Sequence, residues 1–230
     1  MKKNAINLGM LLAGGLAAGT ASAFWNKAGN GSIVTRSFNL SEFEAIEVDG
    51  EAFLEIKNGE PSVSISLDSN LFEYVDVGVD KGLLQVKTSW RIKPTSRPRV
   101  VVTLPSVKRI DLDGNVESQV DLGVSDKTLA LVTNGSSFVN VTNAQLDTLV
   151  IEANGASTID VKGRAQVFDL ESAGNFRGEF QELDVERAKV DGAGSTTLRF
   201  GKVVSISGEL SGLNTVSYKE LPQHSTLKSK

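Results

Sequence analysis

Carboxylate side chains recur along this sequence at intervals of about 20 residues, each three positions before a glycine. Stacked repeats would place these carboxylates in one outward column, the acidic column, with neighbours about 4.8 Å apart. Such a column offers several oxygen ligands to a hard cation, which raises the hypothesis of a Ca²⁺ site. The column consists of Glu47, Asp111, Glu152, Glu171, Asp191 and Glu209, with Val132 as an interruption. The metal-ligand candidates are its last four members, Glu152, Glu171, Asp191 and Glu209.

Two other interpretations of the acidic column stay open. The plainer one is a solvated face that improves solubility and discourages pairing at the sheet edge. The other is a carbohydrate-active enzyme in which Asp191 and Glu171 serve as acid and base, which requires one raised pKa. Arg177, Arg187 and Arg199 are available as basic partners but form no recognisable pattern. The sequence therefore assigns no catalytic residue and predicts that the chain is not an enzyme.

The residue types and motifs that other catalytic or metal-binding sites need are scarce in this sequence. It has no Cys, which excludes disulfides, thiol catalysis and thiolate zinc sites, and its single His, His224, is predicted to be an exposed bystander. Nucleophile-elbow, zinc-protease, P-loop and dinucleotide-binding motifs are missing from the sequence. A net charge of -4 argues against nucleic-acid partners. No cofactor is expected apart from the Ca²⁺ hypothesis.

The elements that would position these side chains are predicted by a glycine-centred repeat. Residues four before and six after each glycine are apolar with one exception, an alternation typical of strands with one buried face. Residues five after each glycine are all polar, and we call them the polar column. The glycines are Gly50, Gly114, Gly135, Gly155, Gly174, Gly194 and Gly212. The polar column is Glu55, Gln119, Asn140, Asp160, Glu179, Arg199 and Ser217.

A period of about 20 residues fits a β-solenoid better than a meander of hairpins. At about 3.3 Å per residue, one period traces a loop of about 66 Å, enough for three short sides around a narrow core. Such coils are stable only when stacked on their neighbours. The interval of 64 residues between Gly50 and Gly114 is close to three periods, but its intermediate repeats cannot be placed from the sequence. Strands are expected there at 62–68, 75–79, 82–90 and 99–104, with one helical turn at 69–74.

The first 23 residues have the layout of a secretory signal peptide. Lys2 and Lys3 precede an apolar run of about 11 residues, too short to span a membrane, and cleavage is predicted after Ala23. The mature chain is thus expected to be exported, to the periplasm or the cell surface, without a membrane span. The predicted organisation is a disordered segment at 24–34, an irregular β part at 35–105, regular coils at 106–220 and a flexible tail at 221–230.

Taken together, these segments resemble the putative auto-transporter adhesin head GIN domain family of exported bacterial proteins. The resemblance covers about residues 35–220, including FEAIEVDG at 43–50, SVSISLDSNL at 62–71, VDVGVDKGLLQV at 75–86 and PRVVVTLPSVKRIDLDGNV at 98–116. It implies a right-handed single-stranded β-helix and brings no catalytic residues with it.

The function expected from this fold is that of a non-enzymatic binding or adhesion module of the bacterial envelope. It would recognise polysaccharide or protein partners through one face of the β-helix, and coil stacking could join several chains. The alternative is a structural envelope protein without a ligand. A polysaccharide-active β-helix enzyme is the less favoured third interpretation.

Overall fold

The computed structural model describes residues 26–123 and 127–230, and the fold is all-β, as predicted. The signal peptide at 1–23 and its cleavage after Ala23 lie outside the described residues. One short 3-10 helix, Ser69–Tyr74, occupies the site of the expected helical turn. The strands are β1 Lys27–Ala28, β2 Ile33–Phe38, β3 Ala45–Asn58, β4 Ser62–Asp68, β5 Val75–Asp80, β6 Leu83–Thr88, β7 Ile92–Lys93, β8 Arg99–Leu104, β9 Arg109–Asp121, β10 Thr128–Tyr218 and β11 His224–Ser229.

The glycine-centred repeats stack in register. Strands β3, β9 and β10 pair in parallel, and the pairing sets Gly50 beside Gly114 and Gly114 beside Gly135. The 91 residues of β10 continue the pattern through further corners, since a Cβ built on Gly174 would lie 2.5 Å from the carbonyl oxygen of Gly155. Glycine is required at these corners because φ is positive and the preceding corner leaves no space for a side chain.

Alternate residues of each repeat point into one continuous core. At the position six after the glycine, the buried side chain is Ile56, Val120, Val141 or Val161 in the earlier repeats and Phe180 or Phe200 in the later ones, followed by the partly buried Tyr218. Phe168, Phe180 and Phe200 pack edge-on or tilted with centroids 4.9 to 5.7 Å apart, and Tyr218 stacks on Phe200 at 6.0 Å. This column of rings fills the core of the repeats that precede the C-terminus.

The N-terminal part is built differently from the repeats. Strands β2, β4 and β8 pair antiparallel, and β8 joins the second half of β3 in parallel. Strands β5 and β6 form a hairpin whose turn residues Lys81 and Gly82 both have positive φ, as a tight primed turn requires. The hairpin lies along the first half of β3. The 64-residue interval therefore contains this antiparallel unit rather than two further coils, because β9 pairs directly with β3.

The structure differs from the sequence-based expectation at both ends. In the segment expected to be disordered, β1 pairs with β7 and β2 pairs with β4. In the segment expected to be a flexible tail, β11 pairs in parallel with residues 205–210 of β10. Both polar segments form strands because the edge of an existing strand supplies hydrogen-bond partners for their backbone. The composition of the segments does not show that such an edge lies nearby.

Candidate functional site

A groove of about 520 Å³ lies where β3, β9 and β10 run side by side. The parallel register brings Glu55, Gln119 and Asn140, the first three members of the polar column, next to one another across these strands. Phe138 and Thr142, which lie two residues before and after Asn140, also line the groove. The same pairing that builds the core thus also builds a concave polar surface.

The groove offers hydrogen-bonding groups around one exposed aromatic ring. Phe138 is 45% exposed, although its neighbours on the same strand, Ser137 and Val139, are buried. The side-chain amides of Gln119 and Asn140 make no hydrogen bond to another described residue, so both can donate to and accept from a ligand. A ring flanked by free amides can contact both the apolar face and the hydroxyl groups of a sugar.

Two fixed contacts shape the margins of the groove. Asn143 has a positive φ of 59° and donates from Nδ2 to Oδ1 of Asp121 at 2.6 Å. On the opposite side, Glu55 pairs with Lys57 at 3.0 Å and with Arg99 at 2.6 Å. Burial raises the pKa of Glu55, but the hydrogen bonds and charges of Lys57 and Arg99 outweigh it and leave the pKa lowered. The charge of Glu55 is therefore balanced by two basic side chains at the margin.

The polar column continues beyond the groove with charged residues. Glu179 pairs with Arg199 at 2.5 Å and with Arg177 at 3.4 Å. Asp160 lies between Asn140 and Glu179 in the column, because each stands five residues after one of the stacked glycines. Burial raises the pKa of Asp160, Lys162 opposes this, and the nearby Glu182 and Glu179 add to it. The chemistry of the face thus changes along the stack, from amides to carboxylates with cations.

Most members of the acidic column are matched by basic side chains. There are four such pairs. Glu47 pairs with Lys87 at 3.0 Å and Asp191 with Lys189 at 2.8 Å. The other two pairs are Asp111 with Arg109 and Glu209 with Lys230. The described residues contain no group of three or more His, Asp or Glu side chains placed to hold a metal ion. Ion pairs thus engage four of the six carboxylates, whereas Glu152 and Glu171 form none with a described residue.

The candidate acid and base pair also meets an electrostatic obstacle. Glu152, Glu171 and Asp191 line a shallow depression of about 290 Å³. The hydrogen bond from Lys189 lowers the pKa of Asp191 below its usual value, although burial opposes this. A general acid needs the opposite shift. His224 is exposed on β11 and lies opposite Ser205, far along the chain from these carboxylates.

Sequence reasoning identified the polar column but assigned it no function. Its signal was the uniform polarity of seven equivalent positions. What the sequence does not show is which members are neutralised, because Lys57 and Arg177 reach the column from other positions of the repeat and Arg99 reaches it from β8. The part of the chain that the structure describes has no helix long and apolar enough to cross a membrane.

Comparisons with known proteins identify the family and support the fold. The family described as "Putative auto-transporter adhesin, head GIN domain" matches residues 42–222. The chain is similar to a putative adhesin from Bacteroides fragilis, with 18% identity, a TM-score of 0.78, and coverage of 88% of this chain and 95% of that chain. A search of curated proteins gave no significant match.

Two structures from Parabacteroides distasonis are also similar. One is a putative adhesin with 16% identity and a TM-score of 0.65, covering 89% of this chain and 95% of that chain. The other is a putative lipid binding protein with 17% identity and a TM-score of 0.60, covering 88% of this chain and 97% of that chain. At such low identities the likeness demonstrates a shared fold and no shared ligand.

Proposed function

The chain belongs to the family of putative auto-transporter adhesins with a head GIN domain, and on this premise we propose that it is an exported, non-enzymatic binding module of the bacterial envelope. Its repeats form a right-handed β-helix with coils of about 20 residues. It binds a polysaccharide through the groove formed by β3, β9 and β10. The periplasm and the cell surface are both compatible with this role.

The parallel pairing supports the β-helix. Successive glycine corners stack directly on one another, at the spacing of hydrogen-bonded neighbouring strands. Each repeat returns to the same register after about 20 residues. Crossovers between parallel strands are overwhelmingly right-handed. Such a stack is rigid along its length, so side chains at equivalent positions stay in fixed rows and can match an extended ligand.

One observation carries the proposal for polysaccharide: the groove combines an exposed Phe138 with the unpartnered amides of Gln119 and Asn140. Sugar rings present apolar faces and many hydroxyl groups, and they need both kinds of contact. The ion pairs of the acidic column reduce the charge left for Ca²⁺, so we expect glycan binding to be the same in Ca²⁺ and in EDTA.

The test is a glycan array probed with the exported form of the chain, from residue 24 onward. We expect bound glycans for the natural sequence and a loss of about 5- to 150-fold for the double variant Gln119→Ala/Asn140→Ala, since each of two lost hydrogen bonds costs about 0.5 to 1.5 kcal/mol. The control Asn175→Ala/Gln181→Ala removes two exposed amides outside the groove and should bind normally.

Other outcomes would overturn the proposal in defined ways. If the chain binds no glycan on the array but captures an envelope protein, its partner is a protein. Silence against both glycans and envelope fractions indicates a structural role without a ligand. Equal losses in the two double variants would show that the groove is not the site.

Self-association by coil stacking is a separate prediction. Leu213 and Leu221, at the last coil, are 80% and 86% exposed, and an exposed apolar surface on a terminal repeat favours contact with another chain. Light scattering of the natural chain and of Leu213→Ser/Leu221→Ser would detect it, as a mass that falls to the monomer value in the variant.

A further inference from the structure

Asp160 differs from the other carboxylates of the polar column. Glu55 is bound by Lys57 and Arg99, and Glu179 is bound by Arg199 and Arg177. Asp160 forms neither a hydrogen bond nor an ion pair with any described residue. The column therefore has one negative charge, next to the free amide of Asn140, that the fold itself does not neutralise.

The surroundings of Asp160 compensate this charge only in part, since burial, Glu182 and Glu179 raise the pKa of Asp160 while Lys162 lowers it. The nearest basic side chain along the strand is Lys162, and its Nζ pairs with Glu182 at 3.0 Å. The carboxylates of Glu179 and Glu182 repel the negative charge of Asp160 and raise its pKa. Asp160 is also half-buried, so water solvates it incompletely. A cation brought by a ligand would relieve both effects.

We infer that the polysaccharide of this groove carries a free, positively charged amino group that pairs with Asp160, so that its class is a polymer containing deacetylated amino sugars. This rests on the proposed function. The ligand runs across the strands, parallel to the stack. Neutral units of the polymer contact Phe138, Gln119 and Asn140, and an amine lies over Asp160 in the next repeat.

The spacing of the repeats supports this direction of the ligand. Neighbouring parallel strands are about 4.8 Å apart, which is comparable to the length of one sugar unit in an extended glycan. Gln119, Asn140 and Asp160 occupy equivalent positions of three successive repeats. One side chain of the column can therefore meet each successive unit of the polymer.

The experiment compares two ligands that differ only in their amines: the fully N-acetylated hexamer of chitin and its fully deacetylated counterpart. Titration calorimetry on the natural chain should give about tenfold tighter binding of the deacetylated hexamer, because a charge-assisted hydrogen bond adds to the neutral contacts. This preference should shrink as salt rises. The variant Asp160→Asn should lose the preference and keep its affinity for the acetylated hexamer.

The control variant is Asp113→Asn, an exposed aspartate of β9 that does not line the groove, and it should keep the preference. Equal binding of both hexamers by the natural chain overturns the inference, and so does an unchanged preference in Asp160→Asn. The proposed function still stands in either case if Gln119→Ala/Asn140→Ala no longer binds the acetylated hexamer. Failure to bind either hexamer, together with silence on the glycan array, overturns both.

Discussion

The repeat region at 109–218 and the N-terminal region at 27–104 reach stable cores in different ways. In the repeat region each segment after β9 pairs in parallel with the one about 20 residues before it, so successive contacts resemble one another. In the N-terminal region, antiparallel strands β2, β4 and β8 and the β5–β6 hairpin attach to the two halves of β3. A stack of repeats needs such an irregular unit at its end, because a bare coil exposes its core.

Buried polar groups show the same difference. Inside the repeats, two pairs of buried hydroxyl groups meet across the corner, Thr133 with Ser157 at 2.9 Å and Ser172 with Thr196 at 3.3 Å. The N-terminal region instead buries the carboxylate of Asp68 completely. This carboxylate accepts from the backbone of Gly31 at 2.7 Å and from the backbone and hydroxyl of Thr95 at 2.9 and 2.8 Å. The repeats depend on periodic packing, and the N-terminal region depends on one hydrogen-bond centre.

The largest expected effect comes from breaking the aromatic column of the repeats. Phe180→Ala should lower the free energy of unfolding by about 3 to 5 kcal/mol, because a fully buried ring leaves a cavity between Phe168 and Phe200. Chemical denaturation measures the loss. Phe138→Ala, which removes an exposed ring, is the control and should lose far less.

Hydrogen exchange on Phe180→Ala would sharpen the comparison of the two regions. Repeats contact only their neighbours, so protection should fall first in residues 159–218 while β4 and β8 stay protected. Uniform loss of protection across both regions would show instead that they unfold as one cooperative unit.

A smaller loss is expected from the glycine corners. In Gly174→Ala, the new Cβ would lie 2.5 Å from the carbonyl oxygen of Gly155, and φ of 110° is unfavourable for alanine. We expect about 3 kcal/mol of destabilisation, measured by denaturation. The matched variant Gly78→Ala, on β5, places a Cβ where no atom lies within 4 Å. Similar losses in both variants would contradict the account of the stacked corners.

The sequence predicts the repeat region well for a physical reason. Equivalent positions of stacked repeats experience the same surroundings, so Gly114, Gly135 and Gly155 reveal one shared constraint several times over. The N-terminal region has no such redundancy. Its strand at 62–68 is predicted from alternation and its strand at 99–104 from a continuous run of β-forming residues. Their antiparallel pairing and the direct contact of β9 with β3 depend on long-range geometry.

The candidate site was only partly predictable for the same reason. The polarity of Gln119, Asn140 and Asp160 is visible in the sequence, because the repeat aligns them. Charge compensation is not visible, because it depends on where long side chains such as Lys189 and Arg99 end. The cation site at the acidic column therefore stays a prediction, although ion pairs engage Asp191 and Glu209 among its four candidate ligands.

The subtlest difference between the regions should appear in their response to acid, with Asp68→Asn as the probe. Burial raises the pKa of Asp68, but hydrogen bonds from Thr95 and Gly31 outweigh it and hold the pKa below its usual value. Because the folded pKa is below the unfolded one, this carboxylate stabilises the fold above its unfolded pKa, and the contribution disappears as the pH falls through the folded pKa.

The Tm of Asp68→Asn should therefore lie below that of the natural chain at neutral pH. The gap should narrow as the pH falls below the unfolded pKa and close below the folded pKa, where both chains carry an uncharged group. Asp184→Asn, an exposed aspartate of the repeat region, should show no gap at either pH. A gap for Asp68→Asn that stays constant with pH would mean that shape and packing, and not the ionised carboxylate, hold Gly31 and Thr95 together.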